Sequence, residues 1–165
     1  MLQSPARRVA SATLTVAHVD PALVVGAYGP VHLCVYRDAL TSEGLEVANG
    51  HHRALMARFP RTFVLGAAQS NLPLPPSEVR QRGAELIDEN QAHVEAAAMV
   101  LQGTGFWASA VRSVMTASFA LARQPYPSRA FATGAEAAAW LTSFAAGAAL
   151  DPVGVAEALA AMERT

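Results

Sequence analysis

A chain of 165 residues, 52% of them hydrophobic and 15% charged, is long enough for one globular domain and too apolar to remain disordered. Its formal net charge of -1, with no basic run, excludes the electrostatic footprint of a nucleic-acid binder. All 12 of its Lys and Arg positions are arginine, which excludes a Schiff-base or phosphate-loop lysine.

Residues 1–10 read as a loose leader. Arg7 and Arg8 precede a segment broken by His18, Asp20 and Pro21, a poor signal-peptide core. No charge-free run exceeds about 16 residues, and those at 21–36 and 96–111 are interrupted by glycine, too short for a membrane span. The expectation is a soluble cytoplasmic protein with no membrane span. Residues 11–19 (SATLTVAHV) alternate as a strand does, and Asp20-Pro21 turns the chain. Residues 22–27 (ALVVGA) form a second short strand, Gly29-Pro30 a second turn, and 31–36 (VHLCVY) a third strand. Three strands at this spacing predict an antiparallel meander. Cys34, the lone cysteine, sits inside the third strand, where a buried inert thiol is expected rather than a nucleophile.

The period then changes. Leu45, Ala48, His52, Leu55, Met56 and Phe59 fall on one face of a helix that starts near Thr41 or Ser42 and stops at Pro60. Residues 62–67 (TFVLGA) are a buried strand, and 71–76 (NLPLPP) an extended loop. Ser77 is placed to cap a helix whose inner side is Val79, Gly83, Leu86, Ile87 and Asn90, with Glu78 and Arg82 paired four residues apart. Residues 96–101 (AAAMVL) are Ala-rich, but the glycines that follow favour a strand. Thr104 caps a helix that runs to about Arg123 and ends before Pro125. A short strand at 128–132 precedes a Thr133/Glu136 capping box, with Ala137, Trp140, Leu141 and Phe144 at helical spacing. Asp151-Pro152 opens a final helix carrying Val155, Leu159 and Met162 on one side. The order β-β-β-α-β-α-β-α-β-α-α predicts an α/β fold: a single-domain mixed sheet, antiparallel at first and then built of βαβ units, with helices packed on it. The domain spans 11–165, with a C-terminal helical extension from about 150.

Motifs for chemistry are few. Gly103-Thr104-Gly105-Phe106-Trp107-Ala108 matches a dinucleotide fingerprint in form, but no Asp or Glu lies between Glu95 and Glu136 to hold a ribose. What survives is a strand-to-helix turn whose amides favour an anion, with Gly103, Thr104, Gly105, Ser109 and Arg112 as candidate ligand-binding residues. The loop 69–76 is the neighbouring wall of that candidate site. His51 and His52 point about 100° apart on a helix and cannot share one ion, and His52 reads as a core histidine. His93 and Glu95 would share a face only on a strand. No metal, cofactor or catalytic residue is implied, and no serine nucleophile motif occurs.

The stretch VLQGTGFWASAVRSVM, then YPSRAF and ATGAEAAAWL, resembles the STAS-like / SpoIIAA-like domain proteins. The likeness covers roughly 11–144; Phe131 falls in the last strand, and Ala137, Trp140 and Leu141 carry the family's A-x-x-W-L pattern. The resemblance implies a mixed sheet with packed helices and a non-catalytic regulatory module working by protein–protein contact, homodimer formation included. The alternative is a small-molecule, anion or lipid binder at Gly103–Gly105; an enzyme of unknown reaction is the remaining reading. Anti-sigma-factor antagonists of this kind carry a phosphorylatable Ser or Thr after an Asp at a helix start. The matching places here are Ser70 and Ser77, and neither follows an Asp.

Overall fold

The computed structural model describes residues 12–69, 71–106, 108–113, 124–145 and 150–165. The expected leader lies outside these, as do Ser70, Trp107 and the second half of the helix predicted to reach Arg123.

Strands β1 (Leu14–Val19), β2 (Leu23–Tyr28) and β3 (Val31–Tyr36) pair antiparallel. Their turns follow from local chemistry. Asp20 Oδ1 accepts the amides of Ala22 and Leu23 at 2.7 and 2.8 Å, and Gly29 adopts φ 55°, where a side chain would be strained. From β3 onward the sheet is parallel, through β4 (Thr62–Gln69), β5 (Val94–Gln102) and β6 (Ser128–Phe131), in the sequential order β1-β2-β3-β4-β5-β6. Parallel neighbours need crossovers. These contain α1 (Ser42–Met56), then α2 (Ser77–Asn90) with a 3₁₀ turn at Gln91–His93, then α3, whose described residues are 105, 106 and 108–113. Helices α4 (Gly134–Thr142) and α5 (Pro152–Glu163) follow the last strand. The Ala-rich segment is a strand, as the glycines after it predict.

The two faces of the sheet are covered differently. Val24, Leu33, Val35, Leu65, Ala98 and Val100 point to one face and bury Leu141, Val155, Leu159 and Met162 of α4 and α5. The other face holds Leu23, Val25 and Cys34 against Ala48 of α1, on which α2 packs. Helix α5 was expected as an extension; it is part of the core, because Val155, Leu159 and Met162 are at most 1% exposed. Helix α5 comes so close to β2 that a Cβ on Gly26 would lie 2.9 Å from Met162 Sδ and 2.7 Å from the Thr15 carbonyl oxygen.

The α1 face contains a satisfied polar row. His32, Cys34 and Tyr36 share it by the two-residue repeat of β3. His32 Nε2 lies 3.3 Å from Cys34 Sγ, and its ring stacks on His52 of α1 at 4.6 Å and 11°. Thr62 donates its hydroxyl proton to the His93 carbonyl at 3.0 Å, so its oxygen accepts from His52 Nε2 at 2.9 Å. Burial pushes the Cys34 thiol up to about 12, and the expected inert cysteine is what the fold contains.

Several local expectations are corrected. The first strand begins at Leu14 rather than 11, and α1 ends at Met56, short of Pro60, in a turn closed by the Phe59 amide on the Leu55 carbonyl. Ser77 is the first residue of α2; Pro76 holds the cap position, and the helix has no side-chain cap bond. Arg82 does not pair with Glu78. It reaches across to Glu46 of α1 at 2.6 Å and along its own helix to Glu89 at 2.8 Å and Glu85 at 3.2 Å, clamping the two helices. His93 lies in the 3₁₀ turn rather than on a strand, so it shares no strand face with Glu95, which pairs with Arg61. The caps at Thr133 and Asp151 form as expected: Thr133 accepts the Glu136 amide, and Asp151 accepts those of Val153 and Gly154.

Two substitutions test this packing. Gly26→Ala forces β1 or Met162 to move and lowers unfolding free energy by about 1–3 kcal/mol. Thr62→Val strands His52 Nε2 and lowers it by a similar amount, about 1–3 kcal/mol. Urea denaturation of each variant checks both; a loss under about 0.5 kcal/mol, the range of an uninvolved surface change, contradicts the contact concerned.

Candidate functional site at the carboxyl ends of the parallel strands

In an open α/β sheet the loops leaving the carboxyl ends of parallel strands are the ordinary place for a ligand or partner. Here β4 ends at Gln69 and β5 at Gln102, paired in register. Gln69 Nε2 donates to Gln102 Oε1 at 2.6 Å, and Gln102 Nε2 donates in turn to Glu163 Oε1 at the end of α5. Arg37, just past β3, donates to the Met162 carbonyl at 3.2 Å and so closes the α5 C-terminus. The resulting cleft, about 150 Å³, is lined by Val35, Tyr36, Arg37, Gln69, Gln102 and Glu163 among others. Partial burial raises the Glu163 carboxyl above its usual range, against a smaller lowering by Arg164.

The glycine turn follows Gln102 directly. Gly103 and Gly105 take φ values of 139° and 89°, backbone that side-chain-bearing residues avoid. Arg112 reaches back over this turn, donating Nη1 to the Leu101 carbonyl at 3.1 Å and to the Gly103 carbonyl at 3.3 Å. Arg112 and Gly103 are therefore neighbours, with at least one guanidinium nitrogen bonded to backbone. Thr104 and Ser109 are exposed, whereas Ala108, on the small-residue side of the same helix, is buried. The loop 71–76 follows β4 and the glycine turn follows β5, so the two segments named by sequence come after the paired strand ends at Gln69 and Gln102. Ser77 is exposed at the far end of that loop, and Ser70 lies outside the described residues.

Sequence reasoning missed three contributors: Gln69 and Gln102 as a pair, Glu163 beneath them, and two exposed apolar side chains. Leu74, on the loop 71–76, is 86% exposed, and Phe106, in the first turn of α3, is 88% exposed. No helical period marks Leu74, and only the lack of a partner in space distinguishes Phe106 from a core residue.

A second cleft of about 230 Å³ lies on the α1 side, lined by His18, Asp20, Tyr36, Asp38, Thr41 and Glu43 among others. His18 Nε2 is 2.7 Å from Asp20 Oδ2, and that bond is the first cause of the lowered Asp20 carboxyl pKa. Among the described residues no group of three or more His, Cys, Asp or Glu side chains is placed to hold a metal ion. No helix among them is long and apolar enough to cross a membrane.

The fold and site define a mixed α/β sheet domain with a small cleft at the carboxyl ends of its parallel strands and two exposed apolar side chains on the segments that follow. No family model, no curated protein and no solved structure matches the chain.

Glu163 supplies a check on this site. A carboxyl raised in the folded state destabilises it once ionised, so Glu163→Gln raises Tm at pH 7 and gives no gain at pH 4. Thermal melts at the two pH values measure this; a lower Tm at pH 7 contradicts the arrangement.

Proposed function

We propose that this chain is a STAS-like, SpoIIAA-like module that acts by protein–protein contact rather than by catalysis, with the loops at the carboxyl ends of β4 and β5 as its contact surface. The observation that carries the reading is the exposure of Leu74 and Phe106, both more than four-fifths in water, on the segments that follow the paired ends of β4 and β5. Large apolar side chains left in water on neighbouring loops mark an interaction surface. The strand order supports the family reading, since a meander leading into sequential parallel strands is the mixed sheet that the resemblance implies.

Small-ligand binding at the same loops is supported less well. A cleft of about 150 Å³ is smaller than the roughly 300 Å³ at which drug-sized sites begin, and Arg112 is engaged with backbone carbonyls.

The test compares the wild type with a Leu74→Ser/Phe106→Ser double variant by sedimentation velocity and by affinity capture. The wild type self-associates or retains a defined partner, and the variant loses at least tenfold in affinity while its circular dichroism is unchanged. A wild type that stays monomeric and captures nothing the variant does not capture overturns the proposal.

A further inference from the structure

All 5 histidines of the chain are gathered around one helix. His51 and His52 belong to α1. The His18 ring on β1 lies 6.2 Å from His51, and His32 on β3 stacks on His52 at 4.6 Å. The main-chain carbonyl of His93 accepts from the Thr62 hydroxyl, whose oxygen in turn accepts from His52. The row is dry in the middle and wet at its ends: His32 and His52 are 4% and 5% exposed, His18 and His51 are half-buried, and His93 is exposed.

Among the described residues, no carboxylate hydrogen-bonds or ion-pairs with either histidine of the middle pair. Strand β2 pairs Ala27 with His32, β3 contributes Cys34, and β4 contributes Thr62 and Val64. Helix α2 meets α1 here through the uncharged Asn90–Asn49 bond. The titratable groups acting on the pair through charge are themselves histidines: His52 and His51 on His32, and His93 on His52. Among the described residues the ion pair made by a histidine is His18 with Asp20, at the outer end of the row.

We infer that this row is an acid-operated latch: protonation of the stacked His32–His52 pair releases α1 from the sheet while the α4–α5 face stays packed. Two like charges at stacking distance in a dry site repel each other, and neither finds a carboxylate. Helix α1 is the element that yields because it is held by a small cluster, Leu23, Val25, Cys34 and Ala48, whereas α4 and α5 share the large one.

The direction follows from where the protons bind. Burial holds His32 down to about 3 and His52 to about 4 in the closed state. Once α1 lifts, both titrate near 6.5 as free imidazoles do. The open state therefore binds more protons between about pH 4 and 6.5, so closure is intact above that window and is lost as pH falls through it. Each imidazole multiplies the opening equilibrium by up to about tenfold per pH unit, and the pair by roughly 600-fold from pH 7 to pH 5.

Hydrogen exchange on the full chain, corrected for the intrinsic pH dependence of exchange, reads this by element. From pH 7 to pH 5, protection of the α1 amides falls by several hundredfold and stays at least tenfold below that of the β5 amides at each pH, because β5 opens only with the whole chain. His52→Gln, whose amide still donates to Thr62, cuts the α1 loss to about 25-fold, the share of one histidine. His32→Gln serves in the same way if that variant does not fold, and the wild-type comparison of α1 with β5 decides alone if neither folds. Protection of α1 that is flat with pH, that equals that of β5 at each pH, or that falls equally in the variants overturns the inference.

Discussion

Strand β3 lies where the sheet changes from antiparallel to parallel, and it must be buried on both faces. On one face that is met by Val31, Leu33 and Val35, three apolar residues against α4 and α5. On the other the same repeat presents His32, Cys34 and Tyr36, and a buried polar side chain is tolerated only when its hydrogen bonds are made. The position of α1 follows from this requirement. His52 must stack on His32 and reach Thr62, and Thr62 must reach the carbonyl of the turn before β5. One polar thread therefore sets the register of α1 against β3, β4 and the turn that leads into β5.

The carboxyl end of the sheet is organised by the same economy of polar groups. Gln69, Gln102 and Glu163 satisfy one another in sequence, and Arg37 and Arg112 close carbonyls that the ends of α5 and β5 leave open. Polar side chains here hold the loops in place, while the apolar Leu74 and Phe106 are what the loops present to solvent.

Much of the architecture was legible in the sequence because its signals are local. Alternation in VHLCVY, the three- and four-residue steps from Leu45 to Leu55, and the caps at Thr133 and Asp151 each depend on neighbours within a turn or a strand. The failures share the opposite cause. Arg82 was assigned to Glu78 because helical spacing offers that partner, but α1 lies close enough to supply Glu46. Ser77 is a residue type suited to capping, yet Pro76 before it already occupies that position. The Gln69–Gln102 bond joins residues 33 apart and rests on strand register alone. The last helix looked like an appendage because nothing local shows that Gly26 leaves room for Met162.

That last contact has a bearing on how the chain is made. The face of β2 that contains Gly26 is translated well before the helix that covers it. Arg37 waits across 125 positions for the carbonyl it caps. Until then Val24, Leu33, Val35 and Leu65 form an uncovered apolar surface on an otherwise ordered sheet. Such a nascent chain is a ready substrate for a holding chaperone, and slowing translation ahead of Pro152 prolongs its exposure without altering any contact of the finished protein.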